Sequence, residues 1–268
     1  DVFNYATIGM YWQLTDERIK NNKMVDYYDQ VIDWAISNDF RLKGHPLMWH
    51  EAMPDWVRNF KDLDELDSLI KNHMKRLIET YPEINDWDVY NEPIGPFKPH
   101  IPPSAITEWI KIKGGIYPAM VEIYEFVNSV NPNKNYSNNH YHAKDPEFLK
   151  INKFFVEKNL NYSSIGMQAH MQTNDNVMSE SQLWNQIKDY EDLGKKIQSE
   201  YCCICMGSFL FRFNILSFDG KVYLSINGNI YYHSFSDYIF CFEIKYFSAW
   251  IIFLINNYLC ISFFNCSI

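Results

Sequence analysis

The sequence predicts an α/β fold, an incomplete (β/α)8 TIM barrel of which about strands 2 to 6 are recognisable. Two observations support this prediction. Up to residue 198, short apolar runs alternate with amphipathic stretches at roughly 30 to 45 residues per unit, which is typical of strand-helix-strand units in a parallel sheet. Each candidate strand also ends in polar residues, and a barrel brings the carboxyl ends of its strands to one mouth. A doubly wound sheet is the alternative architecture.

Five strands and four helices account for this alternation. The strands are predicted at 3–8, 41–50, 86–91, 134–139 and 163–171. Apolar residues recur at helical spacing within 24–35, 66–77, 120–127 and 183–187. Asp62 and Ser179 stand where N-caps belong, while Asn131-Pro132 and Gly194 mark helix ends.

The composition changes abruptly near residue 198. All six cysteines follow residue 200, and residues 199–268 hold eleven of the 19 phenylalanines but only seven charged residues. Soluble domains rarely change charge density this sharply within one core. We therefore predict two regions: 1–198 as the partial barrel, and 199–268 as an unrelated aromatic and cysteine-rich tail.

Charge and hydropathy restrict the partners. A net charge of -9 without any block of Lys and Arg argues against binding to nucleic acid, but it is compatible with binding to a neutral polysaccharide. The 17% of aromatic residues could pack against the apolar faces of sugars. The apolar run 249–264 is short and is interrupted by Asn256 and Asn257, which disfavours a membrane span. The chain starts at Asp1 with no visible signal peptide, so we expect it to be processed or a fragment. The oligomeric state is left open.

The segment 86–93, Asp-Trp-Asp-Val-Tyr-Asn-Glu-Pro, delivers an amide and a carboxylate side by side at the end of a buried type of strand. Glu92 and its neighbour Asn91 are therefore candidate functional residues. Taken alone, Asn-Glu-Pro also fits a surface turn after a strand.

A second segment, 43–50, places His45, Trp49 and His50 at the end of another strand. The histidines could be ordinary core residues. They could also bind a metal together with His140, His142 and Asp145, but the spacing matches no metal-binding helix of the His-Glu-x-x-His kind, so we expect no metal. In a third segment, Gln168 and His170 are two residues apart and share one face of a strand.

These segments, in this order and spacing, resemble the family 10 glycoside hydrolases, the retaining endo-1,4-β-xylanases. The resemblance implies hydrolysis of O-glycosidic bonds in xylan, outside the cell and without a cofactor. It implies that Glu92 is the acid/base and that Asn91 bonds the sugar 2-hydroxyl. His45 and Trp49 would frame the sugar, while Gln168 and His170 would face the cleft, one reaching the sugar and one orienting the nucleophile. Retention follows from a carboxylate separation of about 5.5 Å in that family.

The sequence departs from the family pattern at three places, of which the first bears on glycone-side specificity and the last on activity. Gly9-Met10-Tyr11-Trp12 stands where the family has Glu-Asn-Glu-Met-Lys-Trp, and 138–140 reads Asn-Asn-His instead of Asn-Asp-Tyr. At the seventh strand Glu200 comes one residue early, and a slip of one turns a side chain to the opposite face. We therefore expect an impaired xylanase without an in-register nucleophile. A non-catalytic, sugar-binding remnant is the first alternative, and a membrane-tethered protein the second.

The tail reads as translated intron. Residues 199–201, Ser-Glu-Tyr, can be encoded by AGT GAG TAT, which contains GTGAGT and so resembles a splice donor. Noncoding DNA rich in A and T, read as codons, yields many Phe, Ile, Tyr, Asn and Cys residues. A real lineage-specific insertion is the alternative.

Overall fold

The structure is a computed structural model of the 268-residue chain. It describes residues 4–19, 23–98, 101–141, 145–168 and 179–199, and then the backbone of five strands between Cys202 and Glu243. His142, His170 and Glu200, which the sequence singled out, lie outside the described residues.

A parallel sheet forms the centre of the fold. Its strands are β1 (Tyr5–Gly9), β2 (Arg41–His45), β3 (Met48–Trp49), β4 (Asp86–Asn91), β5 (Asn135–His140), β6 (Ser164–Met167) and β7 (Lys196–Ser199). They follow the order β1-β2-β4-β5-β6-β7, with β3 beside β4, and all these pairings are parallel. Strand 86–91 lies where the sequence predicted it, and the predictions 3–8 and 134–139 agree with β1 and β5 to within two residues. The prediction 163–171 is confirmed over Ser164–Met167, and its last three residues lie outside the described residues.

Two strand predictions need correction. The predicted strand 41–50 is divided at Pro46, which has no N–H to donate to a neighbouring strand, so that β2 ends and β3 begins after it. The sequence also failed to identify β7. This strand has four residues, and Ile197 is its one apolar side chain, so there is no apolar run to detect.

Helices connect the strands. They are α1 (Trp12–Thr15), α2 (Lys23–Ser37), α3 (Asp55–Arg58), α4 (Leu63–Thr80), α5 (Ala105–Ile112), α6 (Ile116–Val130), α7 (Pro146–Glu157) and α8 (Glu180–Glu191). Both predicted N-caps are confirmed: Asp62 accepts from the backbone of Asp64 and Glu65, and Ser179 from that of Gln182. The last helix ends before Gly194, whose φ of 65° belongs to the turn that follows.

The sheet curves into a half-barrel. Strands β2 and β7 are far apart in the sheet order, yet Lys43 Nζ donates to Gln198 Oε1 over 3.0 Å. Two side chains from distant strands meet only if the sheet bends around them. The fold is therefore an incomplete (β/α)8 barrel, as the sequence predicted.

The apolar core lies between the outer face of the half-barrel and the helices. Its largest fully buried side chains include Trp87, Trp109, Tyr124, Phe148 and Phe155. Lys43 is just as deeply buried, at 1% exposure. Charged groups inside a protein need partners, so Lys43 marks a polar interior that differs from the apolar core outside the sheet.

A second, antiparallel sheet follows the barrel segment. Its strands are β8 (Cys202–Met206), β9 (Phe209–Phe218), β10 (Lys221–Ile226), β11 (Asn229–His233) and β12 (Ile239–Glu243), in the order β12-β11-β10-β9-β8. The candidate membrane segment 249–264 lies outside the described residues. In the described part of the chain, no helix combines the length and apolarity that crossing a membrane requires.

Candidate active site

Glu92 occupies a constrained turn at the carboxyl end of β4. Its φ of 58° lies in the left-handed region, which costs a residue other than glycine roughly 1–3 kcal/mol. Two backbone hydrogen bonds hold the turn: the Glu92 N–H donates to Asn139 O over 2.9 Å, and the Gly95 N–H donates to Glu92 O over 2.8 Å. The backbone therefore fixes the point from which this carboxyl group projects.

A β-bulge in β4 brings two sets of polar side chains to the inner face of the sheet. Asp88 is paired with Ser137 and Asn91 with Asn139, so β4 advances three residues while β5 advances two. Regular alternation would send Asp88 and Asn91 to opposite faces. The extra residue lets both point inward, since Asp88 reaches Lys43 on β2 and Asn91 reaches Asn139 on β5.

Three amides are joined at the mouth. Asn91 Oδ1 accepts a hydrogen bond from Asn139 Nδ2 over 3.1 Å and another from Gln168 Nε2 over 2.8 Å. Gly166 makes the close packing possible, because a Cβ on this residue would lie 2.9 Å from Asn139 Oδ1. The orientation of the Asn91 amide is thereby fixed, with Nδ2 as the group left to donate.

The environment of Glu92 favours its protonated form. Burial raises the pKa of Glu92 to about 7, and the negative charge of Glu51 adds to the rise. The donor groups of Gln168, Trp49 and Asn91 favour the ionised form but do not cancel the effect of burial. A carboxyl group of this kind can both give and take a proton near neutral pH.

His45 belongs to a buried ionic group below the mouth. Its Nδ1 lies 2.8 Å from Asp88 Oδ2, while Lys43 Nζ lies 2.7 Å from Asp88 Oδ1. Burial by itself raises the pKa of Asp88, but the charge of Lys43 and the hydrogen bond from His45 outweigh it, so the pKa lies below its usual value. Asp88 is therefore ionised at pH values at which Glu92 is protonated.

Aromatic rings line one side of this mouth. The Tyr11 ring lies 5.6 Å from that of Trp49 and 5.9 Å from that of His45, edge to face with the histidine. Tyr11 comes from the segment in which the sequence departs from the family pattern. The sequence reasoning treated that segment only as a loss of sugar-binding residues, and an aromatic side chain directly after a strand was the signal it missed.

His50 lies behind the site. It is 3% exposed, stacks on the Tyr90 ring at 6.2 Å, and packs so closely under Gly95 that a Cβ on this glycine would be 2.4 Å from the imidazole. Within the described ranges, no group of three or more His, Cys, Asp or Glu side chains is placed to hold a metal.

Two further residues near Glu92 were missed by the sequence reasoning. Glu51 is half exposed and acts on Glu92 through its charge. Tyr141 follows β5, and its pKa is raised by burial and by several carboxylates, including that of Glu92. The position of Tyr141 directly after a strand could have indicated it as a candidate site residue. Nothing in the sequence around Glu51 could have done so.

The seventh strand presents an amide to the interior. Gln198 Oε1 accepts from Lys43 Nζ over 3.0 Å and lies 3.5 Å from Ser137 Oγ, so this side chain is on the inner face. Glu200 was expected to face outward. It lies outside the described residues, so that expectation stays a prediction.

A half-barrel that carries a carboxyl group of raised pKa, amides and aromatic rings at the carboxyl ends of its strands has the architecture that is typical of glycoside hydrolases. The sequence profile of Glycosyl hydrolase family 10 matches residues 6–200, most of the chain. The chain belongs to glycosyl hydrolase family 10.

Two curated relatives support the same assignment, and a solved structure shares the fold. A beta-1,4-xylanase of Dictyoglomus thermophilum is 26% identical over 175 residues, which are 63% of this chain and 48% of the relative. Endo-1,4-beta-xylanase A of Caldicellulosiruptor saccharolyticus is 30% identical over 176 residues, 63% of this chain and 51% of the relative. A mutant of Xylanase10C from Cellvibrio japonicus, solved in complex with xylopentaose, superposes with a TM-score of 0.65 at 18% identity over 77% of this chain and 43% of that one. The chain thus spans about half the length of these curated relatives.

Proposed function

We propose that the barrel segment binds xylan or a related β-1,4-linked polysaccharide, and that Glu92 is the acid/base of a retaining endo-1,4-β-xylanase site. The observation that carries this proposal is the buried carboxyl group at the end of β4, with its pKa raised to about 7. At neutral pH such a group holds a proton for the leaving glycosidic oxygen, and then accepts one from water. Its chemistry needs no cofactor.

The neighbouring side chains suit the binding of a sugar ring. The Asn91 amide, turned by its two donors, has Nδ2 to offer to a sugar 2-hydroxyl beside Glu92. Trp49 and Tyr11 supply flat apolar faces, and Gln168 adds a further amide. His170 keeps the role that the resemblance implies, next to the sugar or the nucleophile.

Action outside the cell is part of the proposal, and detection of the protein in culture medium tests it.

The proposal includes a defect in the covalent step. A retaining mechanism needs a carboxylate nucleophile opposite the acid/base, and the inner-face residue of β7 is Gln198, whose amide is a poor nucleophile. We therefore propose that the chain cleaves xylan slowly or not at all. The same observation favours the second candidate function, a non-catalytic sugar-binding remnant of this barrel.

Gel electrophoresis of the full chain through soluble xylan tests the binding. We expect xylan to retard the protein and amylose to leave its mobility unchanged. Trp49→Ala should abolish the retardation, whereas Asn128→Ala, which alters a partly buried asparagine on α6, should keep it. Equal mobility in both gels would refute the proposal.

Turnover in the presence of azide separates the impaired hydrolase from the remnant. Azide is an external nucleophile that can occupy the space of a missing carboxylate. Release of glycosyl azide from an aryl xyloside would support the hydrolase, and binding without any turnover would support the remnant. Rapid turnover without azide would contradict the defect and would mean that some carboxylate does serve as the nucleophile.

We further propose that residues 199–268 are translated intron and not part of the barrel. The change from a parallel to an antiparallel sheet between Ser199 and Cys202 supports this boundary. Sequencing of the mature transcript tests it: we expect a junction one nucleotide after the Gln198 codon that restores an apolar residue followed by Thr-Glu or Ser-Glu, and an abundant unspliced message through Ile268 would contradict it.

A further inference from the structure

A buried charged group is formed by Lys43, Asp88 and His45. The packing of the core does not by itself require such a group. Asp88 is fully buried and Lys43 is 1% exposed, while the His45 side chain is 14% exposed. Burying two charges is costly, and well-packed apolar residues in their place are often as stable. The imidazole at the end of the group is the part that lies nearest the mouth.

Each oxygen of Asp88 has its own partner. Oδ1 faces the ammonium group of Lys43 at 2.7 Å, and Oδ2 faces His45 Nδ1 at 2.8 Å. An ionised carboxylate only accepts hydrogen bonds, so Nδ1 must carry a proton to donate. Nε2 is then the ring nitrogen that is not committed to Asp88, and in the neutral ring it is an acceptor.

Lys43 in turn is held by more than Asp88. Its ammonium group also donates to Gln198 Oε1 over 3.0 Å, which links β2 and β4 to β7. Lys43 therefore cannot turn away from Asp88 without also leaving Gln198. The β-bulge explains why Asp88 can lie here at all, one layer below Asn91 on the same face.

We propose that Asp88 is a positioning residue, which fixes His45 as the tautomer protonated on Nδ1 and so presents Nε2 as an acceptor to a sugar hydroxyl in the cleft. This rests on the proposed function only in its last clause, since the tautomer is a property of the unliganded protein. Lys43 keeps the carboxylate oriented, and the imidazole transmits this orientation to the mouth.

The substitution Asp88→Asn provides the sharpest test. The Lys43 ammonium group can only donate, so the new amide oxygen must turn toward it and the amide NH2 group must face His45. Nδ1 then has to accept, and the proton moves to Nε2. A sugar hydroxyl that donated to Nε2 meets a donor instead, and xylohexaose should bind about tenfold more weakly.

The matched control is Asp86→Asn. Asp86 is a buried carboxylate two residues earlier on β4, paired through both oxygens with Arg41 at 2.5 and 2.6 Å. The change removes the same charge from the same strand at a greater distance from the mouth. It should leave the His45 tautomer unchanged and xylohexaose affinity within about twofold.

Long-range proton–nitrogen NMR correlation on the ¹⁵N-histidine-labelled full chain reads the tautomer, and calorimetry with xylohexaose reads the binding. We expect His45 to be protonated on Nδ1 in the unaltered chain and in Asp86→Asn, and on Nε2 in Asp88→Asn. A proton on Nε2 in the unaltered chain would overturn the proposal even if Asp88→Asn does not fold. An unchanged tautomer in folded Asp88→Asn would overturn it too. If the unaltered chain does not bind xylohexaose, the proposed function fails, while the tautomers still decide the role of Asp88.

Discussion

The interior of the half-barrel and its mouth each hold a buried carboxyl group on the same strand, and the two behave in opposite ways. Asp88, 0% exposed, has its pKa lowered, whereas Glu92, 8% exposed, has its pKa raised to about 7. Burial acts on both in the same direction. The difference comes from the neighbours: Asp88 has the cation of Lys43, and Glu92 has neutral donors and the negative Glu51.

This contrast teaches that burial does not by itself identify the group that transfers protons. An ionised carboxylate paired with a buried cation keeps its charge and holds its partners in place. A carboxyl group without a cation changes its protonation state near neutral pH, which is what acid/base chemistry requires. The two carboxyl groups, four residues apart, therefore divide positioning and proton transfer between them.

The largest expected effect is that of removing the cation from the interior. Lys43→Met leaves Asp88 buried without its counter-charge, and breaking a buried pair in this way costs roughly 3–5 kcal/mol. We expect a loss of that size in the free energy of unfolding at neutral pH, measured with urea.

Lys150→Met is the control for this substitution. Lys150 is 62% exposed and pairs with Glu147 on α7, so its loss should cost less than about 1 kcal/mol. Equal losses of unfolding free energy for the two variants would mean that Lys43 does not stabilise the charge of Asp88. The neighbours of Asp88 would then not explain why its pKa differs from that of Glu92.

A smaller effect of opposite sign is expected at the mouth. The folded protein holds a proton on Glu92 up to about pH 7, while the unfolded chain releases it near the ordinary glutamate pKa of 4.5. Stability contributed by the protonated form is therefore present below pH 4.5 and lost as the pH rises through 7. Glu92→Gln mimics the neutral form and should stabilise the protein by up to about 3 kcal/mol above pH 7, with no gain near pH 4.

Urea unfolding at several pH values measures this difference. Glu79→Gln, which changes a glutamate 54% exposed on α4, should alter stability by less than about 0.5 kcal/mol at every pH. If Glu92→Gln were no more stable than the unaltered chain at high pH, the carboxyl group would not be held neutral by its surroundings.

The smallest expected effect tests whether burial or the charge of Glu51 sets the pKa of Glu92. Glu51 is partly exposed, so its influence on Glu92 is screened by water and salt. Glu51→Gln should lower the pKa of Glu92 by less than about half a unit. Carbon-13 NMR titration of the Glu92 carboxyl group measures it. A fall of more than about one unit would show that charge, and not burial, sets this pKa.

Parts of the fold, and the position of two candidate site residues, were predictable because they depend on local sequence. The strand 86–91 and the N-caps Asp62 and Ser179 follow from apolar periodicity and from side chains that bond nearby backbone. Those rules also placed Asn91 and Glu92 at a strand end. The strand β7 escaped prediction because a four-residue strand with one apolar residue gives no periodic signal.

By itself the sequence determined the alternation of strands and helices and the residue types at the strand ends, since both depend on neighbours within a few positions. Only the tertiary structure decided that Asp88 and Asn91 share a face, because a bulge is set by pairing with β5. It also decided that Lys43 meets Gln198, 155 residues away. The tertiary structure also decided the pKa of Glu92, because this pKa depends on burial by the folded chain and on charges that the fold brings near.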